Sequence, residues 1–374
     1  MPDRTLCIVR RQRGGIGGAE MVAARYAQAF DSDWRVVLLS ADSREWGVSG
    51  ARGPSWWRAW RFAETVPRAL AKMRPDLVLT LERGIRGDVF RAGELVHRRW
   101  ARMKHPALGW VFNPTHWVMP RLERRTVAGA RAVVANSELV RREYATCYPE
   151  YAAKIRVIRN GVDTAVFQPA AEPRAAIRAR LGLPSEGPLW LFAGSGWQIK
   201  GLDIALRIVA RLRAEQVRPG LQLVVAGRGD PGRYRRIAAQ LGLADAVRFV
   251  GPQQEIVAYY QAADAFLLPS RFDAFANACI EALACGCPVI TTETNGAGEI
   301  VRAGETGVVL RIDVRRGEPD EESWRRLLDF LAAGNGAPAA VAASVSALTL
   351  DRELGEYRRL FDEILAEKGI ANAR

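Results

Sequence analysis

The chain has 374 residues, more than one ordinary domain holds, so two domains are the natural expectation. Apolar residues make up 49% of it, yet no apolar run approaches the roughly 18 residues that a membrane-spanning helix needs. The five cysteines lack metal-binding spacing, and the first apolar stretch is too short for a signal peptide. These features favour a cytoplasmic protein with reduced thiols.

The net charge of +13 is confined to the N-terminal half. Residues 1–168 hold 29 Lys and Arg against 16 Asp and Glu, whereas residues 169–374 hold 25 of each. Eight of the eleven tryptophans also precede residue 168. An Arg-rich genome explains Arg in place of Lys, but not an imbalance in one half only. A basic, aromatic half indicates an anionic partner, which is acidic lipid, phosphorylated glycan or nucleic acid.

The order of predicted elements indicates two α/β halves. Apolar runs predict strands in the first half at 6–9, 35–39, 77–80, 132–135 and 155–158. Those of the second half are predicted at 189–193, 221–226, 247–251, 265–268 and 289–292. Residues 168–187, with three prolines, mark the boundary, and 321–368 are largely helical. We therefore expect two doubly wound parallel sheets facing each other across a cleft, with ligands at the carboxyl ends of the strands.

The segment 273–281 carries the clearest ligand-binding pattern. Asp273 and Glu281 are eight residues apart, with a small-residue turn and the start of a helix between them. The helix is predicted to end near Gly286, because glycine fits the left-handed position and Pro288 cannot continue a helix. A helix N-terminus offers free N–H groups and a positive dipole to phosphate, and carboxylates bind hydroxyls. The segment therefore predicts a site for a phosphorylated, polyhydroxylated ligand.

A glycine loop with a following lysine adds a second candidate. Gly194-x-Gly196 follows a predicted strand but lacks the third glycine of a dinucleotide fingerprint, which disfavours NAD. Lys200 stands six residues past Gly194 at the start of a helix, where a lysine can reach a diphosphate. The alternative is a solvated surface lysine.

The three histidines are His97, His105 and His116. Glu94 and His97 would share one face if they were helical, which makes them candidates for a general base or a sugar contact. We interpret His105 and His116 as surface or interface residues, and the spacing excludes a metal site of the usual kind.

Aromatic and cationic residues alternate at 55–62, 100–104 and 110–125. One interpretation is an ordinary helix with a core stripe. The other, which we favour, is an interfacial surface with indoles at headgroup depth and guanidinium groups on phosphates. No nucleic-acid-binding motif is present.

With these motifs the chain resembles the retaining glycosyltransferases of family 4, which have the GT-B fold, and within them the lipopolysaccharide core glycosyltransferases of the glucosyltransferase I type. The resemblance covers nearly the whole chain. It is carried by FDAFANACIEALACGCPVITTETNGAGEIV (272–301), VIRNGVDTAVFQP (157–169), FAGSGWQIKGLDIAL (192–206), DVFRAGELVH (88–97) and GGAE (17–20).

The resemblance implies a domain plan. Residues 1–168 would form the basic acceptor-binding domain and 169–350 the nucleotide-sugar-binding domain. The last residues, 351–374, would form a helix packing back toward the N-terminal domain.

The resemblance also implies a role for each candidate residue. Glu281 would hold the donor ribose and Asp273 hydroxyls of the donor sugar. The backbone amides of three residues would face the sugar and diphosphate; these are Phe275, Ala276 and Asn277. Ser195 and Lys200 would neutralise the diphosphate, and Gly17 and Gly18 would let a loop approach the donor. Glu94 and His97 would lie near the reacting carbon and the acceptor hydroxyl, with Lys200 as the third catalytic residue.

Three positions depart from the family pattern. The first acid of the pair is usually Glu and is Asp273 here, which can alter the sugar preference. Glu94 stands where Asp is usual, and Ala276 replaces a common glycine.

The expected reaction moves a hexose or N-acetylhexosamine from a nucleoside diphosphate sugar, a UDP-sugar by preference, to a lipopolysaccharide core or related cell-envelope glycan. No Asp-x-Asp motif lies in residues 169–374, the predicted nucleotide-sugar-binding half, so the reaction should need no metal ion or other cofactor. The protein would act at the cytoplasmic face of the inner membrane, touching anionic lipid and no nucleic acid. The alternatives are a phosphatidylinositol mannosyltransferase, a sucrose-type synthase, a teichoic acid glycosyltransferase, or a noncatalytic protein that binds sugar nucleotide or glycan.

Overall fold

The computed structural model describes residues 4–12, 18–48, 52–104, 111–313, 316–334 and 336–369. These residues divide into two compact units. Unit 1 combines the chain up to Arg159 with the C-terminal segment from Glu353, and unit 2 is Asn160–Arg352. The boundary lies at Arg159, and not after residue 168 as the sequence predicted.

Unit 1 is built on a six-stranded sheet in which all neighbouring strands are parallel. Its strands are β1 (Thr5–Val9), β2 (Arg35–Leu39), β3 (Leu77–Thr80), β4 (Val89–Ala92), β5 (Ala132–Ala135) and β6 (Ile155–Val157). They lie in the order β2-β1-β3-β4-β5-β6. The inner strands β3, β4 and β5 are buried at every residue, as in parallel sheets covered on both faces.

Unit 2 repeats this plan with a second parallel sheet of six strands. Its strands are β7 (Leu189–Ala193), β8 (Gln222–Ala226), β9 (Val247–Gly251), β10 (Ala265–Leu268), β11 (Val289–Thr292) and β12 (Gly307–Leu310). The order is β12-β11-β10-β7-β8-β9. Two further short strands, β13 (Ile312–Asp313) and β14 (Glu318–Pro319), form an antiparallel pair.

Helices connect the strands of both sheets. Those of unit 1 are α1 (Gly18–Phe30), α2 (Ser55–Met73), α3 (His97–Lys104), α4 (Thr115–Gly129) and α5 (Glu138–Cys147). Those of unit 2 are α6 (Arg174–Arg180), α7 (Leu202–Ala214), α8 (Pro231–Gln240), α9 (Ile256–Ala262), α10 (Asn277–Ala284), α11 (Glu321–Ala333) and α12 (Pro338–Ala343). The last helix is α13 (Leu350–Glu367), and short 3-10 helices occupy Arg44–Trp46, Pro149–Lys154 and Gly296–Ile300. Both sheets are therefore doubly wound α/β structures, as the sequence predicted.

The C-terminal helix α13 contributes to the core of unit 1. The Phe361 ring packs 5.3 Å from Phe30, centroid to centroid, and Tyr357 packs 5.1 Å from Tyr26. The buried Glu353 carboxylate accepts a hydrogen bond from the Tyr26 hydroxyl. Residues after Glu353 thus complete a core that the N-terminal segment begins.

The helices and the cysteines bear on two features that the sequence excludes, a membrane-spanning helix and a disulfide. No helix in the described ranges combines the length and the apolar character that crossing a bilayer requires. All five cysteines are free thiols, and four of them are buried, whereas Cys147 is exposed.

Candidate active site

The strand order of unit 2 creates a crevice between β7 and β10. From β7 the chain adds β8 and β9 on one side, then returns to place β10 on the other. The loops after β7 and β10 therefore leave the sheet in opposite directions, and such a switch point is where open α/β sheets bind ligands. The first loop carries Lys200 and the second carries Asp273.

The two loops are fastened to each other next to this crevice. The backbone N–H of Arg271 donates to the carbonyl of Ile199 at 2.9 Å. The Arg271 guanidinium also forms two hydrogen bonds with Asp203, at 2.7 and 2.6 Å. Gly201 has a φ of +76°, and a Cβ there would lie 2.0 Å from the carbonyl oxygen of Pro269. Only glycine fits this approach, so the loop geometry depends on it.

Lys200 and Asp273 form an ion pair in which both side chains are largely buried. Burial alone lowers the pKa of Lys200, but the Asp273 carboxylate outweighs it and the pKa is raised. The ammonium group is therefore charged at neutral pH. The structure brings together two residues that the sequence had proposed separately, and it places an ammonium group paired with a carboxylate at the crevice.

Helix α10 begins beside this pair and holds Glu281 slightly more than one turn from its start. The hydroxyl of Tyr260 donates to Glu281 Oε2 at 3.0 Å. Burial, with the Glu281 charge in addition, raises the pKa of Tyr260 well above its ordinary value, so Tyr260 remains a neutral donor. Asp273 lies in the loop before the helix, so the two carboxylates occupy the positions that the sequence predicted.

The helix N-terminus differs from the prediction at Ala276. Its N–H donates to Asn295 Oδ1 at 3.2 Å, so this amide is engaged within the protein and does not point at a donor as expected. Asn277 is the first residue of α10, and its Oδ1 accepts a hydrogen bond from the Asn160 side chain at 2.7 Å. The preceding Phe275 is a buried side chain.

Unit 1 places Glu94 and His97 on different elements. The chain leaves β4 after Ala92, passes Glu94 in a loop, and enters α3 at His97. The two residues therefore do not share a helical face. They would have shared one only if the whole segment were helical. Glu94 is 56% exposed and pairs with Arg83 at 2.8 Å. The Arg83 charge lowers the pKa of Glu94, which makes the carboxylate a weak proton acceptor.

Arg83 and Glu123 clamp the loop that leads to His97. Arg83 donates to Glu123 at 2.7 Å, to Glu94 at 2.8 Å and to the Leu95 carbonyl at 2.7 Å. The same Glu123 oxygen accepts the backbone N–H of His97 at 3.1 Å. The clamp therefore fixes the first residue of α3.

His116 is buried, whereas the sequence predicted a surface or interface residue. Its Nδ1 lies 3.0 Å from His97 Nε2, so the two imidazoles share a hydrogen bond. Burial, followed by the charges of Arg83 and His116, lowers the pKa of His97 to about 3. His97 is therefore a neutral imidazole at physiological pH. His105 lies outside the described residues.

Two family models match the sequence, one for each unit. Residues 16–166 match the model described as Glycosyltransferase Family 4, and residues 173–313 match that described as Glycosyl transferases group 1. A curated relative, the D-inositol 3-phosphate glycosyltransferase of Acidothermus cellulolyticus, is 34% identical over 274 residues. That alignment covers 67% of this chain and 60% of the relative. The chain belongs to the glycosyltransferases.

The glycosyltransferase spans only part of its curated relatives, since alignments with three of them cover 60%, 50% and 46% of their lengths. These relatives are described as D-inositol 3-phosphate glycosyltransferases. The sequence comparison therefore confirms the enzyme class, and it does not confirm the lipopolysaccharide core type.

Solved structures share the fold of the glycosyltransferase. WaaG, a glycosyltransferase involved in lipopolysaccharide biosynthesis, has a TM-score of 0.76 at 18% identity over 96% of this chain and 99% of its own. Anabaena HepE, solved in complex with UDP-glucose, has a TM-score of 0.66 at 17% identity over 96% and 99%. Identities this low show the fold alone, and it is the GT-B fold that the sequence predicted.

The remaining candidate residues of the glycosyltransferase are Gly17, Gly18 and Ser195. Gly17 is outside the described residues, and Gly18 is the first residue of α1. Ser195 is exposed after β7, and its hydroxyl oxygen lies 3.4 Å from the backbone N–H of Arg228. Within the described ranges, no three His, Cys, Asp or Glu residues are grouped to hold a metal ion.

Sequence reasoning missed the residues that position both sites of the glycosyltransferase. In unit 2 this residue is Asn295, which also accepts the Ala297 N–H at 3.1 Å and donates to Thr291 at 2.9 Å. In unit 1 they are Arg83, His116 and Glu123. One signal was available, because His116 and Glu123 are seven residues apart and so lie on one face of a helix.

Proposed function

We propose that the enzyme transfers a hexose or N-acetylhexosamine, with retention, from a UDP-sugar to a hydroxyl of a phosphorylated acceptor. The observation that carries this proposal is the Lys200–Asp273 pair at the switch point of the unit 2 sheet. A charged lysine beside a carboxylate offers two different contacts, one for diphosphate and one for sugar hydroxyls. HepE binds UDP-glucose on the same fold, which supports this choice of donor.

The donor assignment follows from the charges in unit 2. As the bond from sugar C1 to the diphosphate oxygen breaks, negative charge grows on the leaving group. Lys200, the Ser195 hydroxyl and the N-terminus of α10 stabilise that charge, and preorganised groups of this kind supply most of the catalysis in such reactions. Glu281 accepts hydrogen bonds from the ribose, and Asp273 from the sugar. The acceptor oxygen forms the new bond to C1, and its proton passes to the leaving phosphate.

The acceptor assignment follows from the charges in unit 1. A pocket of about 100 Å³ lies after β1, β3 and β4. Four arginines and two glutamates line it, so it carries a net positive charge; these are Arg10, Arg11, Arg83, Arg91, Glu82 and Glu94. A phosphorylated hydroxyl compound suits this balance, because guanidinium groups bind phosphate and carboxylates bind hydroxyls. D-inositol 3-phosphate and phosphorylated lipopolysaccharide core are both of this class.

We also propose that the reaction needs no divalent metal, with Lys200 acting as the cation at the diphosphate. Metal-dependent transferases neutralise the diphosphate with a bound ion, whereas here a buried lysine occupies the crevice. Transfer at an undiminished rate in excess chelator is the expected result.

A second surface of unit 1 supports peripheral contact with an anionic membrane. Among the described residues, six large apolar side chains are exposed, and four of them belong to α2, to α4 or to the turn just before α4. These four, here called the aromatic face, are Trp57, Trp60, Phe112 and Trp117. Indoles beside cations are typical of surfaces that lie at lipid headgroups.

Helices α2 and α4 place the aromatic face on one side of unit 1. Ser55 lies 3.5 Å from Thr115 between the hydroxyl oxygens, and Arg125 donates to Glu64 at 2.8 Å. The two helices therefore run side by side in the same direction, so Trp57 and Trp60 lie abreast of the first turns of α4. Four exposed arginines accompany them; these are Arg58, Arg61, Arg121 and Arg124.

A transfer assay tests the proposed activity. UDP-glucose, UDP-galactose and UDP-N-acetylglucosamine are each incubated with D-inositol 3-phosphate, unphosphorylated inositol or phosphorylated core oligosaccharide. We expect transfer from one UDP-sugar to a phosphorylated acceptor and little to inositol. Donor binding without transfer or hydrolysis for any combination would support the noncatalytic alternative and contradict the proposal.

A further inference from the structure

Helix α9 presents one buried hydroxyl to helix α10. Tyr260 is 1% exposed, and its hydroxyl donates to Glu281 Oε2 at 3.0 Å. The bond joins the helix before β10 to the helix after it. A hydroxyl buried this deeply needs a hydrogen-bond partner. The partner of Tyr260 is the carboxylate that is proposed to hold the donor ribose.

The direction of this hydrogen bond is defined. Burial, with the Glu281 charge in addition, raises the pKa of Tyr260 well above its ordinary value, so the phenol keeps its proton. A neutral tyrosine hydroxyl can donate, and a carboxylate oxygen can only accept. Tyr260 is therefore the donor and Glu281 the acceptor.

Packing fixes the ring of Tyr260 without help from its hydroxyl. The ring lies 5.4 Å from that of Phe266 in β10 and 6.3 Å from that of Phe167, centroid to centroid. A phenylalanine in place of Tyr260 would make the same two ring contacts. The hydroxyl is thus the part of Tyr260 that packing does not explain, and its recorded contact is with Glu281.

The helix holds the backbone of Glu281 but not its carboxylate. Glu281 lies within α10, and its carbonyl accepts the N–H of Cys285 at 3.0 Å. Three side-chain torsions separate this backbone from the carboxylate, and ordering a glutamate side chain has an entropic cost. A hydrogen bond from a rigid neighbour orders the side chain before a ligand arrives, which is how a binding site is preorganised.

We propose that Tyr260 is a positioning residue for the donor nucleotide, because its hydroxyl holds the Glu281 carboxylate at the place where the ribose hydroxyls bind. The inference rests on the proposed function for the ribose contact of Glu281. A carboxylate has about four acceptor positions, so it can hold the Tyr260 hydroxyl and ribose hydroxyls together. Tyr260 acts through Glu281 and does not itself contact the substrate.

Calorimetry on the full chain tests the inference with two nucleotides, UDP and 2′,3′-dideoxy-UDP, which lacks the ribose hydroxyls. Wild type should bind UDP roughly 10- to 100-fold more tightly than the dideoxy nucleotide, since hydrogen bonds to a charged group are lost. In Tyr260→Phe that ratio should fall roughly 3- to 10-fold, because the carboxylate must now be ordered on binding. Affinity for the dideoxy nucleotide should stay unchanged. The matched control, Tyr259→Phe, removes the neighbouring hydroxyl of α9 and should keep the wild-type ratio.

A double-mutant cycle shows whether Tyr260 acts through Glu281. Glu281→Asp draws the carboxylate back by one methylene group, away from the Tyr260 hydroxyl. In that background Tyr260→Phe should change UDP affinity little, because the bond is already lost. An equal loss of UDP affinity in both backgrounds would show that the hydroxyl supports the fold instead, and it would overturn the inference.

Tyrosine NMR of the wild type gives a test that depends on no variant. The chain has eight tyrosines, and ¹³C at Cζ reports the hydrogen bonding of each hydroxyl. We expect one signal to move when UDP is added and to stay in place with the dideoxy nucleotide, because the ribose hydroxyls share the Glu281 carboxylate with Tyr260. Tyr260→Phe assigns that signal. If no tyrosine signal distinguishes the two nucleotides, the inference is wrong.

The outcomes separate this inference from the proposed function. A preference for UDP that Tyr260→Phe leaves intact overturns the inference, and the proposed transfer still stands. A preference that is lost in Tyr260→Phe, in an enzyme that transfers sugar from no donor, contradicts the proposed transfer and leaves the positioning role standing. A wild type that binds both nucleotides equally removes the ribose contact of Glu281 and overturns the inference with it.

Discussion

Arg83 donates a hydrogen bond to Glu123 at 2.7 Å, and the Glu123 side chain has no exposed surface. This buried ion pair joins the loop after β3 to helix α4. The carboxylate also accepts hydrogen bonds from the His97 backbone N–H and the Tyr148 hydroxyl, so it joins two further segments of the chain. The candidate acceptor side of the enzyme depends on this one carboxylate.

We predict that Glu123→Gln destabilises unit 1 strongly. The variant leaves the Arg83 guanidinium with only the half-exposed Glu94 as a charged partner, and breaking a buried pair costs about 3–5 kcal/mol. Urea unfolding followed by circular dichroism measures the change. The matched control is Glu64→Gln, which removes a half-exposed partner of Arg125 and should cost about 1 kcal/mol or less. Equal losses in the two variants would contradict the buried-pair argument.

The second prediction is that Lys200→Ala lowers kcat by about 10²- to 10³-fold, the usual loss when one preorganised contact to developing negative charge is removed. Donor turnover is measured well below the unfolding midpoint of the variant, because removing Lys200 also takes this partner from the largely buried Asp273 carboxylate. Lys200→Arg keeps the charge and should lose less activity. The control Lys72→Ala removes an exposed lysine of α2 and should leave turnover unchanged. Near-normal turnover in Lys200→Ala would exclude Lys200 from the diphosphate site.

The third prediction concerns donor choice at Asp273. Asp273→Glu extends the carboxylate by one methylene group while keeping its charge. The ratio of kcat/KM between two UDP-sugars should change roughly tenfold or more, a typical effect of one methylene in a binding pocket. The matched control, Glu281→Asp, should weaken UDP binding by calorimetry and leave the sugar ratio unchanged. If the ratio of kcat/KM between the two UDP-sugars is the same in wild type and Asp273→Glu, Asp273 does not contact the donor sugar.

Much of the fold could be predicted because buried parallel strands are continuous apolar runs. β2 and β3 begin and end where the sequence predicted. β4 was missed because Arg91, which is buried and donates to the Tyr26 hydroxyl at 3.2 Å, interrupts its apolar run. The sequence pattern does not show that a charged residue in a strand has such a partner. The domain boundary was misplaced because prolines mark irregular chain, and irregular chain can belong to either unit.

The sequence predicted which residues belong to the candidate site, but it did not predict which residues they contact. Lys200 and Asp273 lie in loops that follow strands, and Glu281 lies in the helix after the second of these loops. The order of strands and helices therefore predicts that all three residues lie at one edge of the sheet. The pairing of Lys200 with Asp273 joins residues 73 positions apart, and nothing local indicates it. His116 was misjudged for the same reason, since its hydrogen bond joins it to His97, 19 residues away at the start of α3.

The fourth prediction concerns pH. His97 has a pKa of about 3 in the folded enzyme and an ordinary value of 6.5 when unfolded. Between these values the unfolded chain binds a proton that the folded chain does not, so this contribution to stability is complete above pH 6.5 and is lost as the pH falls toward 3. Wild type should therefore lose more unfolding free energy than His97→Asn between about pH 8 and about pH 5. A constant difference between the two across that range would show that His97 titrates normally.

The last prediction concerns the aromatic face. The double variant Trp57→Ala/Trp60→Ala should lose most binding to vesicles that contain phosphatidylglycerol, because indoles anchor at the lipid interface. Wild-type binding should weaken in phosphatidylcholine alone and at high salt, since each arginine near an anionic surface contributes about 1 kcal/mol. Val166→Ala removes an exposed apolar side chain of unit 2 and serves as the matched control. Two results would assign this face to a partner other than the membrane. One is vesicle binding that does not change with lipid charge, with salt or with loss of the two tryptophans. The other is loss of vesicle binding when single-stranded RNA is added as a competitor.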